Sequence, residues 1–121
     1  MTEEEIDRLT SRLFVRLGLP VNRAGCRYLR CAMYILLGAD CPTRLELKEL
    51  YWHIARRCHT TEAGVEGTIR RTIDTVCYQG DLEVLSECFG KEDYHDDVRP
   101  TPTEFVMAIR DKLRSMYYGH L

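Results

Sequence analysis

Residues 45–78 read LELKELYWHIARRCHTTEAGVEGTIRRTIDTVCY. In the first half, Leu47, Leu50, Tyr51, Ile54 and Ala55 recur at the steps of three and four that a helix turns onto one face. Just upstream, Thr43 and Glu46 form a capping box to start that helix. The spacing breaks at Arg57-Cys58-His59-Thr60, which reads as a tight turn. A second helix begins after Thr60-Thr61 and reaches about Tyr78, where Gln79-Gly80-Asp81 stops it. With Glu66 at zero on a wheel of 100° per residue, Ile69, Ile73, Val76 and Val65 fall at roughly 300°, 340°, 280° and 260°. That is one buried stripe. Ala63, Gly67, Arg70, Arg71 and Asp74 fall between about 40° and 140° and form an exposed one.

Two helices joined by a tight turn, the second with a narrow polar face, form the arrangement that a helix-turn-helix needs. The first helix braces the backbone and the second enters the major groove. Arg56 and Arg57 end the first helix, so residues 53–73 hold four arginines against Glu62 and Glu66. The same pattern has a plainer reading. Any amphipathic helix has a charged outer face, and Glu66 with Arg70 makes a helpful i,i+4 pair.

Outward from this segment the apolar spacing stays helical. Ile6, Leu9, Leu13 and Leu17 form a first stripe, opened by the capping box Thr2 and Glu5 and closed by Gly18 with Pro20 beyond. Tyr28, Leu29, Ala32, Met33, Leu36 and Leu37 form a second, ending at Gly38. A short piece runs from Leu82 to Phe89 and stops at Gly90. The stretch from Lys91 to Arg99 is loop-like. Thr101, Pro102 and Glu104 supply an N-cap, a proline at the first helical position and a glutamate at the third. The last helix carries Phe105, Val106, Ile109 and Leu113. No segment alternates with period two long enough for a half-buried strand, and no repeat or low-complexity linker appears. The expectation is an all-α single domain, residues 1–121, of five to six helices containing a helix-turn-helix at about 45–78.

The chain has 121 residues, 45% of them hydrophobic, and a formal charge of −2. Near-neutral charge with ample apolar content excludes a disordered chain. The longest apolar run, Ala32 to Leu37, falls far short of the roughly 18 residues that suggest a membrane span. The acidic start Met1-Thr2-Glu3-Glu4-Glu5 is unlike a secretory signal, so the chain reads as cytoplasmic and, beginning at Met1, as complete. Cys26, Cys31, Cys41, Cys58, Cys77 and Cys88 are scattered, without the close pairs that zinc ribbons and redox motifs need, and read as small reduced hydrophobes. Arginine outnumbers lysine 14 to 3, and arginine's rigid fork suits phosphates and guanine edges. Residues 87–97 carry five acids and one base, a net −4, which leaves +2 on the remainder. The overall charge therefore does not exclude a basic patch.

A catalytic site needs convergent groups, and none is evident. Cys58 and His59 are adjacent, so on a helix they point about 100° apart, and no third group stands near. Asp93, His95, Asp96 and Asp97 lack the alternating oxygens and central glycine of a calcium loop and read as a solvated acidic stretch, one that would repel DNA on its side. Tyr117, Tyr118 and His120 read as a frayed terminus or core edge. No enzyme activity, cofactor or metal is expected.

The run Leu50-Tyr51-Trp52-His53-Ile54-Ala55-Arg56-Arg57-Cys58-His59-Thr60-Thr61, continuing through Val65-Glu66, Ile69-Arg70-Arg71 and Ile73, resembles the C-terminal effector domain of stage-zero sporulation protein A. That family is the response-regulator master switch of endospore-forming bacteria. Further stretches fit it in the same order: Gly18-Leu19-Pro20, then Gly25-Cys26-Arg27-Tyr28-Leu29-Arg30, then Phe89-Gly90, then Arg99-Pro100-Thr101 with Glu104-Phe105 and Asp111-Lys112-Leu113-Arg114. The likeness spans about residues 6–115. Each motif is weak alone, and their collinearity is what makes them specific.

The resemblance implies a six-helix domain whose third and fourth helices form the helix-turn-helix, binding short boxes of double-stranded promoter DNA, often as tandem head-to-tail copies. By position, Glu66, Arg70 and Arg71 match family residues that face the bases. Thr60 and Thr61, at the start of the recognition helix, suit phosphate contacts with Arg56 and Arg57. The chain departs from the family in two ways. Gly64 and Gly67 stand where the family usually has arginines, and one good bidentate arginine contact is worth ~1–3 kcal/mol of discrimination. There is also no room for the phosphoacceptor receiver domain that family members carry. The rival expectation is therefore a receiver-less interaction module that modulates a full-length relative or another protein, with weak or no specific DNA binding. Other expected partners are a second copy of the chain, as a homodimer or tandem dimer on DNA, and the transcription machinery. No membrane is expected.

Overall fold

The computed structural model describes residues 1–19, 23–38, 47–79, 82–89 and 99–119, which form six α-helices and no strand. They are α1 (Glu3–Leu17), α2 (Ala24–Leu37), α3 (Leu47–Arg57), α4 (Glu62–Gln79), α5 (Leu82–Phe89) and α6 (Pro102–Tyr118). The all-α expectation holds, with six helices in the expected order. The capping box at Thr43 and Glu46, Pro20, Cys41, the stops at Gly80-Asp81 and Gly90, His120, and the acidic stretch with Asp93, His95, Asp96 and Asp97 lie outside the described residues.

Local chemistry sets the ends of α1 and α6. The Thr2 hydroxyl accepts the Glu5 N–H at 3.2 Å, and the Glu5 carboxylate accepts the Thr2 N–H at 3.1 Å. Thr101 and Glu104 repeat this reciprocal pair at 3.1 and 3.3 Å, with Pro102 at the first turn. Each box satisfies two N–H groups that the helix itself leaves without partners. At the far end of α1 the chain turns left-handed at Gly18, φ 74°. The Gly18 N–H then donates to the Val15 carbonyl at 3.1 Å and the Leu19 N–H to the Phe14 carbonyl at 2.9 Å, a Schellman closure.

Helix α2 is the central rod. Ten of its 14 residues are buried, among them Cys26, Leu29, Met33 and Leu36, because it is covered by α1, α3, α4 and α6. A helix apolar nearly all round has no solvent face to present. Around it pack Phe14 and Leu13 of α1, Leu50 and Ile54 of α3, Ile69 and Ile73 of α4, and Phe105 and Ile109 of α6, all buried. Burying each side chain of this size stabilises the fold by roughly 1.5–3 kcal/mol before the entropy of ordering it. Near its N-terminus α2 meets α4 so closely that a Cβ at Gly25 would sit 2.0 Å from Thr72 Oγ1, which is why this position lacks a side chain.

Polar ties hold the outer helices to this rod and to one another. Arg30 on α2 donates to the Asp7 carboxylate at 3.1 Å, the Asp7 carbonyl at 3.2 Å and Ser11 Oγ at 3.1 Å. The Tyr34 hydroxyl also donates to Asp7, and burial followed by this bond pushes its phenol up to about 12. Arg16 of α1 meets Glu87 of α5 at 2.8 Å, and Lys112 of α6 reaches the same carboxylate at 3.6 Å. Helix α6 runs further than its apolar stripe. Tyr117 is half-buried against the core while Tyr118 stands exposed, so the terminus is a core edge through Tyr117.

Candidate nucleic-acid interface

Helix α3 carries two arginines into its last turn, where the negative end of the helix dipole favours cations. The turn that follows is compact. The Cys58 N–H donates to the Ile54 carbonyl and the Thr60 N–H to the Ala55 carbonyl, both at 2.9 Å. His59 adopts φ 55° between them, the left-handed position that Gly18 fills at the end of α1. The Thr60 bond is the six-to-one bond of a Schellman motif, here built without glycine, and the chain leaves it in position to start α4 three residues later. Cys58 is half-buried and His59 exposed, so the pair converges on no common point.

Thr61 caps α4, its hydroxyl accepting the Gly64 N–H at 2.9 Å. Glycine at the third position has no carboxylate to return the bond, so only half of a capping box forms. Along the helix, Val65, Ile69, Ile73 and Val76 are buried, as the wheel requires, and Ala63, Glu66, Arg70, Arg71 and Asp74 are exposed. Gly67 is half-buried, at the edge of the exposed stripe. Glu66 and Arg70 form an i,i+4 ion pair at 2.8 Å. Arg71 donates to Thr68 Oγ1 at 3.1 Å.

The expected backbone-contact residues cluster around the turn, in two settings. The Arg56 guanidinium stacks over the Trp52 ring at 4.7 Å and stays exposed. Arg57 is also exposed at its outer end but lies beside the buried Cys31 thiol. Burial first, and then the neighbouring Cys58, push that thiol up to about 11 against the opposing pull of Arg57. Thr61 is exposed and Thr60 half-buried. Beneath the Glu66–Arg70 pair sits Tyr51 of α3, whose phenol is raised by burial and then by the Glu66 charge.

The two glycines of α4 differ in their surroundings. A Cβ at Gly64 would fall 2.8 Å from Thr60 Oγ1 and 3.1 Å from Thr61 Oγ1, so a larger residue there disturbs the cap. At Gly67 the nearest atom is Arg71 Nη1, 3.5 Å away, and a side chain fits without adjustment.

Local spacing misses several residues at this surface. Arg99 reaches across to the Asp74 carboxylate at 3.3 Å and the Asp74 carbonyl at 3.2 Å, tying the one acid in the middle of the exposed stripe. It follows a stretch without periodicity, so no helical spacing points to it. Tyr78, 81% exposed, falls at about 120° on the same wheel and extends the stripe beyond Asp74 by about one turn. The wheel could have shown this. Trp52, 44% exposed, is the outward aromatic on α3.

The family model described as "Sporulation initiation factor Spo0A C terminal" matches residues 10–113. The chain belongs to that family. It is therefore a DNA-binding effector domain of the sporulation-regulator type, and the family is not one of enzymes. The matched span runs from Thr10 in α1 to Leu113 in α6, so α2 to α5 lie wholly within it. Among the described residues no helix is long and apolar enough to cross a membrane, and no three His, Cys, Asp or Glu side chains gather as a metal site would require.

Proposed function

We propose that this chain recognises promoter DNA by laying α4 in the major groove. The observation that carries this reading is the division of α4 into a fully buried stripe and an opposite, solvent-facing stripe bearing Arg70 and Arg71 beside Glu66. The packed stripe fixes the helix's rotation, so the polar stripe is held in place before any DNA arrives. An arginine fork matches guanine O6 and N7, and a glutamate accepts from cytosine N4. Arg70 and Arg71 are assigned to bases, with Glu66 both orienting Arg70 and available to a cytosine. Arg56, Arg57, Thr60 and Thr61 are assigned to phosphates around the turn. The protein acts in the cytoplasm as one domain over residues 1–121, with the helix-turn-helix at about 45–78, and binds tandem boxes as two copies.

One observation favours the rival reading. Trp52, stacked with Arg56 on the outer face of α3, is the kind of aromatic and arginine pair enriched at protein interfaces. Fluorescence anisotropy separates the two. A duplex with the family's promoter box and a scrambled duplex are titrated at low and near-physiological salt. Salt-sensitive binding that prefers the box is the expected result, since each neutralised phosphate releases counterion. Equal binding to both duplexes would remove base readout from α4. No binding even at low salt would favour the protein-interaction module.

A further inference from the structure

The exposed stripe of α4 has two flanks. On the Glu66 and Arg70 side stands α3 with the turn, already assigned to phosphates. On the other side, where Thr68, Arg71 and Thr75 point, the neighbour is the N-terminus of α2. Between them lies a groove of about 740 Å3 lined by Arg23, Ala24, Gly25, Arg71, Thr72 and Thr75 among others. The close contact of Gly25 with Thr72 draws α2 to this edge of α4.

The groove is electrostatically one-sided. Among the described residues it is lined by two arginines and by no Asp or Glu. Arg23 is exposed and makes no ion pair or side-chain hydrogen bond among the described residues. The first turn of α2 holds no acid, and its N-cap side chain makes no capping bond. Leu19 to Arg23 contains no acid either. Two of the other helices, α1 and α6, begin with a threonine–glutamate box that occupies this end with a carboxylate. Here the corresponding place is taken by an arginine, so the groove attracts anions.

We infer that this groove holds a backbone phosphate of the DNA strand on the side of the major groove opposite α3, with Arg23 as its principal ligand. The inference rests on the docking of α4 proposed above. Arg71 then stands between the two roles, on the rim shared by the recognition stripe and the phosphate groove. The helix is held from both sides: by α3 and the turn on one strand, and by the start of α2 on the other.

The test is the salt dependence of binding by Arg23→Gln in the full chain, with the box and scrambled duplexes and Arg70→Ala in parallel. Arg23→Gln is expected to weaken both duplexes by the same factor. Its slope of log K against log salt should flatten by about 0.9, the contribution of one phosphate, so the affinity lost between 50 and 200 mM salt shrinks about 3.5-fold. Arg70→Ala should instead change the ratio between the duplexes. An unchanged slope in Arg23→Gln, with wild-type binding intact, overturns the groove and leaves the docking of α4 standing. Absence of wild-type binding at low salt overturns both. Inorganic phosphate alone, titrated by NMR, distinguishes the sources of anion. Shifts at Ala24, Gly25 and Arg71 with phosphate, together with an unchanged salt slope on DNA, would make this a site for free phosphate and overturn the assignment to DNA.

Discussion

Helices α1 and α6 and the helix-turn-helix of α3 and α4 solve the same local problems differently. Both α1 and α6 begin with a complete capping box, and α1 closes on a glycine in the left-handed conformation. Helix α4 begins with half a box, because its third residue is Gly64, and carries a second glycine at Gly67. The turn before it holds a histidine at φ 55°. By local criteria the frame is well made and the helix-turn-helix is not. What holds α3 and α4 is burial: Leu50 and Ile54 of α3 are enclosed against α2 and α4, and Val65, Ile69 and Ile73 of α4 against α2, α3 and α6. A surface meant for a partner departs from local optima, and the packed face behind it compensates.

Ile69→Ala should have the largest effect. Ile69 is 0% exposed, and its truncation is expected to cost ~2–5 kcal/mol. If packing holds the helix-turn-helix to the frame, the urea transition stays single. Fluorescence of Trp52, the sole tryptophan, and helical circular dichroism should then fall together. A tryptophan transition that precedes the loss of helix would show that α3 and α4 unfold on their own.

Arg70→Ala comes next and separates function from stability. Its ion pair with Glu66 is exposed, so stability should change by less than about 0.5 kcal/mol. Discrimination between box and scrambled DNA should fall by ~1–3 kcal/mol, read as a ratio of dissociation constants. Loss of stability without loss of discrimination would make the pair a surface brace and nothing more.

The caps sharpen the contrast. Thr101→Ala removes the hydroxyl of a reciprocal box and should lower stability by about 1 kcal/mol, while Thr61→Ala removes half a box and should cost about 0.5 kcal/mol. Equal costs would mean that the return bond from Glu104 contributes little. At the two left-handed helix ends the signs should be opposite. His59→Gly is expected to stabilise by about 0.5–1 kcal/mol and Gly18→Ala to destabilise by a similar amount, both by thermal unfolding. A destabilised His59→Gly would assign the imidazole a contact that outweighs its backbone conformation.

The smallest effect is one of pH. Arg16 beside Glu87, with Lys112 further off, holds that carboxyl below its ordinary value of 4.5. A carboxyl depressed in the folded state contributes stability in full above its unfolded value and loses it as pH falls through the folded one. The brace between α1, α5 and α6 should therefore weaken only below about pH 4.5. Arg16→Gln should show a shallower fall of Tm with acid than the wild type, and parallel curves would remove the brace from the acid response.

Much of the frame is legible from residue spacing, for a physical reason. Caps, proline at a first turn and glycine at a last one act within four residues, so Thr2, Gly18 and Thr101 announce the ends of their helices. The rotation of α4 is legible too, since Val65, Ile69, Ile73 and Val76 repeat at the helical period. The surroundings of the stripe are not. Arg99 reaches Asp74 over 25 residues, and Arg23 and Arg71 line one groove from different helices. Nor does spacing distinguish Gly64, where a Cβ would crowd two threonine hydroxyls, from Gly67, where one would meet only Arg71 Nη1 at ordinary contact distance.

The chain alone determined an all-α domain of five to six helices, the place of the turn, and which face of α4 is buried, because these follow from hydrogen bonds and apolar periodicity within each helix. Only the tertiary structure decided which charges stand beside that face. Coulomb and hydrogen-bond partners are chosen by the packing of helices against one another, and the contact of Gly25 with Thr72 sets α2 against α4 on a scale that no local pattern encodes.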